Sequence, residues 1–384
     1  MSDQASVVSI VRCPGYEHPH VADAVRAAVE SAGLLESFEG RKSVLLKPNL
    51  LSARRPEDAV TTHPAVVEAV AGIARDFGCR LMIGDSPPFA GENPAKYAAL
   101  LDRTGMSDAA QRTEAELVRF ESDVVRVSNP SGRFYRSFEV ARAAVDSDLI
   151  VSVSKFKTHG LTGITGAVKN LFGCVPGIRK GLFHVQAAEN RQTFAQMLVD
   201  LTAALPQGLH VMDAVVGMDG EGPSAGRPRR VGLILASADP VALDAVVSAI
   251  VGIDPMSIDT TRLAHEQRLG CGSPGGIQIL GESIQDVRIP DFVPSSGVND
   301  WARIPKPIRN LLRRKLLAVP QFNSGKCIGC GECADVCPVK ALTPTRPPRV
   351  DLAACIRCYC CHEVCPASAV RLKRGLLARL VQGR

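Results

Sequence analysis

The stretch CIGCGECADVCPVKAL at residues 327–342 recurs in outline 28 residues further on, as CIRCYCCHEVCPASAV at residues 355–370. Each copy spaces its cysteines as C-x2-C-x2-C-x3-C and has a proline directly after the last one. Such short steps let three thiolates of one tight turn bind three corners of an iron–sulfur cubane, while the last cysteine reaches across to the other cluster. The two copies therefore predict two [4Fe-4S] clusters.

The crossed pattern gives each cluster three cysteines from one copy and the last cysteine of the other copy. The first set is Cys327, Cys330, Cys333 and Cys365, and the second set is Cys355, Cys358, Cys361 and Cys337. Cys360 departs from the plain spacing because it stands next to Cys361. We interpret it as a spare thiol packed near the cluster, with an alternative role as a ligand in a damaged cluster.

A structural zinc module and a disulfide framework are the alternatives for so many cysteines. Zinc sites pair two C-x2-C knuckles across a long loop, which fits this spacing far less well. Disulfides need an oxidising compartment, and nothing in this sequence marks secretion. The segment resembles a bacterial-type ferredoxin over residues 321–373, which implies low-potential, one-electron transfer and a small fold with pseudo-twofold symmetry.

The remainder of the 384 residues is long enough for a large domain with its own core. The net charge of +6 is a modest excess, and no aromatic platform accompanies the basic residues, so nucleic-acid binding is not expected. We identify no signal peptide and no apolar run long enough to span a membrane. Thirteen cysteines indicate a reducing interior, and the predicted location is the cytoplasm.

Residues 1–300 alternate short apolar runs with amphipathic segments, which predicts an α/β body with a mostly parallel or mixed sheet and flanking helices. The predicted strands are 7–11, 43–46, 80–83, 149–153, 209–216, 231–235 and 276–280. The predicted helices are 21–32, 65–77, 94–103, 164–172, 193–205, 240–251 and 260–268. Residues 108–144 are interpreted as a small insertion with two or three strands.

Residues 301–320 follow the body as a linker, which holds the basic amphipathic pattern RIPKPIRNLLRRKLLA at 303–318, and a basic tail occupies residues 374–384. We expect both basic segments to pack their apolar faces on the body and to bridge it to the clusters. Contact with a membrane surface, or docking of an acidic electron partner, is the alternative.

Polar side chains of the body cluster where predicted strands end, and ligands bind at such ends because the chains diverge there and leave a crevice. LLKPNL carries Lys47 and Asn49, and VSKFKTHG carries Lys155, Lys157 and His159. TTHP carries His63, IGDSPP carries Asp85 and Ser86, and GAVKNLFG carries Lys169 and Asn170.

These motifs also carry a resemblance to a known family, domain of unknown function 362. KPN at 47–49, KTH at 157–159, KNLFG at 169–173 and DPVALDAV at 239–246 match its pattern over about residues 5–290. Members of that family often carry a carboxyl-terminal ferredoxin module. The family name records that its activity is not established, so the chemistry is argued from the residues.

The lysines predict a site for a small anionic metabolite. Lys47, Lys155, Lys157 and Lys169 converge on a carboxylate or phosphate in this hypothesis, with Asn49 and Asn170 as further binding residues and the helix beginning near Ile164 as a source of N–H donors. Neither a Walker A motif nor a G-x-G-x-x-G fingerprint is present. No flavin motif is visible, but many flavin sites lack one, so a flavin stays open. The alternative is that these lysines are solvated surface charges.

Three side chains are candidate proton donors. His159 and His63 titrate near neutral pH in water, and Lys157 acts in the same way if burial lowers its pKa. Each histidine has the alternative of a structural turn residue.

The leading hypothesis is an anaerobic iron–sulfur oxidoreductase that passes low-potential electrons to an anion held by the body. A covalently joined donor stays near its acceptor at any cellular concentration. One alternative is an electron carrier whose body docks a partner redox enzyme, and another is a non-redox protein with structural or oxygen-sensing clusters.

Overall fold

The computed structural model describes residues 6–88, 93–177, 179–187, 190–206, 208–295 and 317–373. Within these ranges, nine strands form one mixed sheet flanked by helices, and two short antiparallel sheets lie outside it. This architecture confirms the predicted α/β body, and the small sheet near the carboxyl end fits a small ferredoxin-like domain.

The strands follow the predicted positions and extend several of them. They are β1 Ser6–Arg12, β2 Ser43–Pro48, β3 Arg80–Asp85, β4 Glu116–Arg119, β5 Val124–Ser128, β6 Ser137–Ala141, β7 Leu149–His159, β8 Gly163–Thr165, β9 Leu209–Asp219, β10 Arg227–Ser237, β11 Ile277–Gly281, β12 Val319–Phe322 and β13 Val370–Lys373. The large sheet has the order β11-β1-β10-β9-β7-β2-β3-β4, with β8 beside β7. Because β9, β7, β2, β3 and β4 run parallel, their carboxyl ends meet at one edge of the sheet.

The helices are α1 His20–Ser31, α2 Pro64–Asp76, α3 Pro94–Arg103, α4 Met106–Thr113, α5 Ala143–Asp146, α6 Ala167–Asn170, α7 Arg179–Ala187, α8 Arg191–Ala204, α9 Pro240–Ile250, α10 Asp259–Glu266, α11 Glu332–Asp335 and α12 Cys360–Val364. Local chemistry explains where several of these helices begin. Asp239 accepts N–H bonds from Val241 and Ala242 at the start of α9, where a proline follows the cap.

The predicted helix over 164–172 is wrong in its first half. Residues Gly163–Thr165 pair back onto β7, with Lys157 opposite Thr165, so the chain is extended there. The short helix α6 begins only at Ala167, and the carboxylate of Asp244 accepts the backbone N–H bonds of Ala167 and Val168 at 2.6 and 3.2 Å. The N–H donors expected to bind a ligand anion are therefore already bound within the protein.

The predicted insertion over 108–144 contains three strands, within the expected two or three, but they do not form one sheet. Its first strand, β4, joins the edge of the main sheet beside β3, whereas β5 and β6 form a hairpin of their own.

The cysteine repeat is visible in the backbone of the carboxyl-terminal domain. Residues with positive φ recur 28 residues apart, which is the offset between the two cysteine copies. Gly329 corresponds to Arg357, Gly331 to Tyr359, and Lys340 to Ser368. The antiparallel pair β12–β13 joins the two ends of the domain. Most of the predicted basic helix, residues 303–316, and the tail 374–384 lie outside the described residues. In the part of the chain described, none of the helices has the length and apolar character needed to cross a membrane.

Candidate functional site

The four thiols of each predicted ligand set line one cavity. Cys327, Cys330, Cys333 and Cys365 line one cavity of about 130 Å³. Cys337, Cys355, Cys358 and Cys361 line a second, narrower cavity of about 20 Å³. Each set combines cysteines from both halves of the repeat, as the crossed pattern of a two-cluster domain requires.

The environment of these thiols suits iron–sulfur ligation. The N–H of Ala341 points at Cys337 Sγ and the N–H of Ala369 at Cys365 Sγ, both at 3.2 Å. These are equivalent positions in the two halves, and N–H bonds to ligand sulfur stabilise thiolate charge and tune the potential of a cluster. Cys333, Cys361 and Cys365 also pack in a small apolar cluster, which limits access of water. The residues present therefore fit [4Fe-4S] groups.

The cysteine domain is docked on the carboxyl edge of the large sheet. The guanidinium of Arg54 donates to Cys365 O at 3.4 Å and to Ser368 Oγ at 2.6 Å, and the hydroxyl of Ser224 donates to Glu363 O. The ring of Tyr359 is buried in an apolar cluster that also contains core residues of the body. Side-chain packing and hydrogen bonds thus fix the thiols relative to the strand ends.

A cavity of about 460 Å³ lies where the two parts meet. Its body wall includes Asn49, Lys169, Asn170, Lys180 and His184. Its other wall includes Cys337, Lys340, Cys360 and Glu363. The volume falls in the range of small-molecule sites, and both charged and apolar side chains line it.

Three of the residues predicted for the anion site of the body line this cavity: Asn49, Lys169 and Asn170. Asn170 is buried, and its amide donates to Lys47 O at 3.1 Å and to Ser152 Oγ at 2.9 Å, which fixes its side chain. Lys169 is half-buried and makes no hydrogen bond or ion pair with the residues that the structure describes. Its ammonium group can therefore pair with an anion in the cavity.

Two other predicted lysines are held in buried ion pairs. Lys47 Nζ lies 2.8 Å from Asp85 Oδ1, and Lys155 Nζ lies 2.9 Å from Asp213 Oδ2. A side chain at Gly173 would overlap Lys47 and Asp85, because a Cβ there would lie 2.0 Å from Asp85 Oδ1. This close approach explains the glycine of the KNLFG motif, and the two pairs leave less positive charge for a ligand than four free lysines would.

Lys157 is fully buried behind Asn49 and does not line the cavity. Its ammonium group donates to Asn49 Oδ1 at 2.7 Å and to Val60 O at 2.5 Å. Burial, together with Lys169 and Lys155, lowers the pKa of Lys157 well below its usual value. The amine reaches a ligand only through Asn49.

His159 contacts the cavity indirectly. Its Nδ1 accepts the N–H of Leu161 at 3.0 Å, so a neutral ring carries its proton on Nε2, which lies 2.9 Å from Glu363 Oε1. That contact is close but not aligned as a hydrogen bond, and neither atom has a hydrogen-bond partner among the described residues. Burial and Lys169 lower the pKa of His159 to about 4 although Glu363 opposes the shift.

His63 belongs to a separate group of side chains, away from this cavity. Its ring stacks on Tyr16 with centroids 3.6 Å apart, and its Nδ1 accepts the N–H of Ala65 at the start of α2. The hydroxyl of Tyr16 donates to Asp213 Oδ1 at 2.8 Å. This geometry is that of a helix cap, and burial lowers the pKa of His63 to about 4.

Sequence reasoning missed Lys180, His184 and Glu363. Lys180 and His184 are four residues apart on α7 and therefore lie on one face of the helix, a signal that a helix prediction over 179–187 would have exposed. His184 stacks on Phe194, and burial lowers its pKa to about 4. Burial alone would raise the pKa of Glu363, but Lys169, His159 and His184 outweigh it, and the pKa is lowered.

Comparison with known sequences matches both parts of the chain. A family model described as domain of unknown function (DUF362) matches residues 44–249, and one described as a 4Fe-4S binding domain matches residues 320–343. A protein of Synechocystis sp. described as thylakoid-associated is 34% identical over 264 residues, which covers 68% of this chain and 79% of that protein.

Solved structures give a weaker likeness. The apoprotein of lactate racemase from Thermoanaerobacterium thermosaccharolyticum aligns with a TM-score of 0.38 and 15% identity, over 61% of this chain and 54% of that one. A structural-genomics protein from Thermotoga maritima aligns with a TM-score of 0.34 and 14% identity, over 58% of this chain and 56% of that one. The chain thus spans about half the length of these two structures. Likeness at this level does not bear on activity.

Proposed function

Because this chain belongs to the DUF362 family and joins that body to a 4Fe-4S binding domain, we propose that it is an iron–sulfur oxidoreductase acting on a small organic anion. Both cysteine sets take part in this proposal, so the chain carries two [4Fe-4S] clusters. When bound, each cluster supplies one electron at low potential. A partner protein that transfers single electrons reduces the chain.

One observation carries the proposal: Cys337 lines both the second thiol cavity and the 460 Å³ cavity. A substrate in the larger cavity therefore lies against a cluster ligand, with no intervening domain. A pure carrier has no need of an enclosed, charged cavity at that position.

The body holds the substrate in this proposal. Lys169 pairs with its carboxylate or phosphate, while the amide of Asn49 orients it. Apolar side chains of the cavity, such as Phe172 and Val364, exclude water from the reacting end. His159 does not touch the substrate; it contacts Glu363 and fixes the position of the negatively charged carboxylate.

The electron-carrier function remains the second candidate, since the partly exposed cysteines and the exposed Cys330 offer a docking face for another redox protein. We place the chain in a reducing compartment because of its thirteen cysteines. Contact with a membrane surface is a further option that the description of the cyanobacterial relative as thylakoid-associated supports.

The test is anaerobic reoxidation. Reduced protein, freed of excess reductant, is mixed with a small-molecule extract of host cells while the visible absorbance of the clusters is followed. We expect the cluster absorbance to recover in wild type and in the Lys42→Ala variant, which replaces an exposed lysine of the body. In Lys169→Ala the absorbance should not recover. Recovery only on addition of host protein would instead identify a carrier.

A further inference from the structure

A line of hydrogen-bonded polar groups leads from the cavity into the body. Lys180, on the cavity wall, donates from Nζ to Ser86 Oγ at 2.8 Å and to Ser86 O at 2.6 Å. The hydroxyl of Ser86 in turn donates to Glu121 Oε1. The backbone N–H of Gly177 also donates to Ser86 Oγ, at 2.8 Å, and holds it in place. Hydrogen bonds thus connect Lys180 to Ser86 and Ser86 to Glu121.

The far end of this line is the carboxylate of Glu121, which accepts the Ser86 hydroxyl. Glu121 is half-buried, and its second oxygen, Oε2, is buried without a hydrogen-bond partner among the described residues. Glu121 Oε1 accepts the Ser86 hydroxyl and so fixes its direction, which leaves Ser86 Oγ as the acceptor for Lys180.

The near end is tuned to release a proton close to neutral pH. Burial lowers the pKa of Lys180 to about 8, although Asp85 and Glu121 oppose the shift. The other charged or titratable groups that face Lys180 are Lys47, which is paired with Asp85, and the thiol of Cys174. A general acid works best when its pKa lies near the working pH.

We propose that Lys180, held in place by Ser86 and Glu121, is the catalytic acid of the reaction. This inference rests on the proposed oxidoreductase function. The Nζ–H bond breaks, and its proton goes to the substrate atom that has received an electron from the one-electron partner. The neutral amine then takes a proton from water that enters the cavity, so one proton is taken up from solvent for each proton delivered. One proton is consumed for each electron.

The substrate class follows from this coupling. The substrate gains hydrogen atoms rather than electrons alone, so it is an organic anion with a reducible carbon–oxygen or carbon–carbon double bond. A simple outer-sphere electron acceptor would need no acid on the wall of the cavity.

The test compares two oxidants of the reduced protein: the extract fraction that reoxidises wild type, and ferricyanide, which accepts one electron and no proton. With the extract fraction as oxidant, we expect Lys180→Met and Lys180→Arg to be reoxidised about 100-fold more slowly or worse. This is the usual contribution of a general acid to the rate. Arginine keeps the charge but does not release a proton. Ferricyanide should reoxidise all variants at the wild-type rate, and this result also shows that they fold and hold clusters.

Ser86→Ala gives an independent readout. It removes the hydroxyl that holds Lys180 but not the acid itself, so reoxidation by the fraction should slow less than in Lys180→Met, with ferricyanide reoxidation unchanged. A wild-type pH profile and full rate in Lys180→Arg would overturn Lys180 as the catalytic acid while leaving the oxidoreductase function standing. Failure of every extract fraction to reoxidise wild type would overturn both.

Discussion

His159 Nε2 and Glu363 Oε1 lie 2.9 Å apart, and this contact joins the end of β7 in the body to α12 in the cysteine domain. Glu363 stands between two ligand cysteines in the sequence, so a buried contact of the body reaches directly into the cluster loop. Lowered pKa values keep His159 neutral and Glu363 negative at neutral pH. The charged form of Glu363 is stable only with compensating groups around it, because a buried charge without compensation is costly.

Replacing His159 with phenylalanine should therefore destabilise the docked domain. The ring volume stays, but the polar Nε2 edge that faces the buried Glu363 carboxylate is lost, and a less compensated buried polar group costs about 1–3 kcal/mol. Anaerobic thermal unfolding measures the effect. Glu363→Gln removes the charge, so the double variant should be less destabilised than the sum of the single variants. Strict additivity would show that the contact contributes nothing to stability.

Iron analysis tests the cysteine assignment. We expect about eight iron atoms per wild-type chain after anaerobic purification, the content of two cubanes. Cys330→Ala should lose iron and visible absorbance, because this thiol lines the first cavity. Cys271→Ala is the matched control, since Cys271 lies in the body and in neither thiol set. Equal iron in the two variants would contradict the assignment.

His210, on β9, should make stability depend on pH. It is buried with no partner at Nδ1, and burial lowers its pKa to about 4 from an ordinary value of 6.5. Below pH 6.5 the unfolded chain binds a proton that the folded chain does not, so stability falls as the pH drops from about 6.5 to about 4. At about 1.4 kcal/mol for each pKa unit, this residue alone contributes about 3 kcal/mol to that fall.

His210→Gln should flatten this part of the curve. The measurement is the midpoint of anaerobic urea unfolding at pH 7, 6, 5 and 4 for both proteins, with the exposed His20→Gln as control. Parallel curves for wild type and His210→Gln would rule out a neutral buried imidazole at this position.

Much of the fold was predictable because its signals are local. Seven strands and six helices have the expected apolar runs and caps, such as Asp239 before the proline of α9. The failure at residues 164–172 has a non-local cause, because β8 pairs with Lys157–His159 and Asp244, far along the chain, binds the start of α6. Periodicity within a window does not detect such partners.

The cavity was predictable only in part, for the same reason. Asn49, Lys169 and Asn170 were found because they follow strand ends, where crevices form. Strand ends do not show which lysines are neutralised, and Lys47 and Lys155 lie in buried ion pairs with partners 38 and 58 residues away. Glu363 was missed because the wall that it forms comes from the docking of a second domain.

Adding a side chain at Gly160 should separate the two domains without replacing a ligand cysteine or a residue that lines the 460 Å³ cavity. A Cβ at Gly160 would lie 2.7 Å from Leu372 Cδ1 and 3.7 Å from Tyr359 Cδ2. Leu372 can turn away from the single methyl of Gly160→Ala, but Gly160→Leu fills the same space with a branched chain. Overpacking of this kind costs about 1–3 kcal/mol, enough to favour an undocked domain.

We expect Gly160→Leu to keep its iron and its reoxidation by ferricyanide but to lose reoxidation by the active extract fraction, whereas Gly160→Ala keeps both. Hydrogen exchange of the Tyr359–Val364 amides measures docking directly and should quicken only in the leucine variant. Because the proposed site has one wall on each domain, activity must follow docking. An undocked variant with full activity on the fraction would place the reaction somewhere other than this cavity.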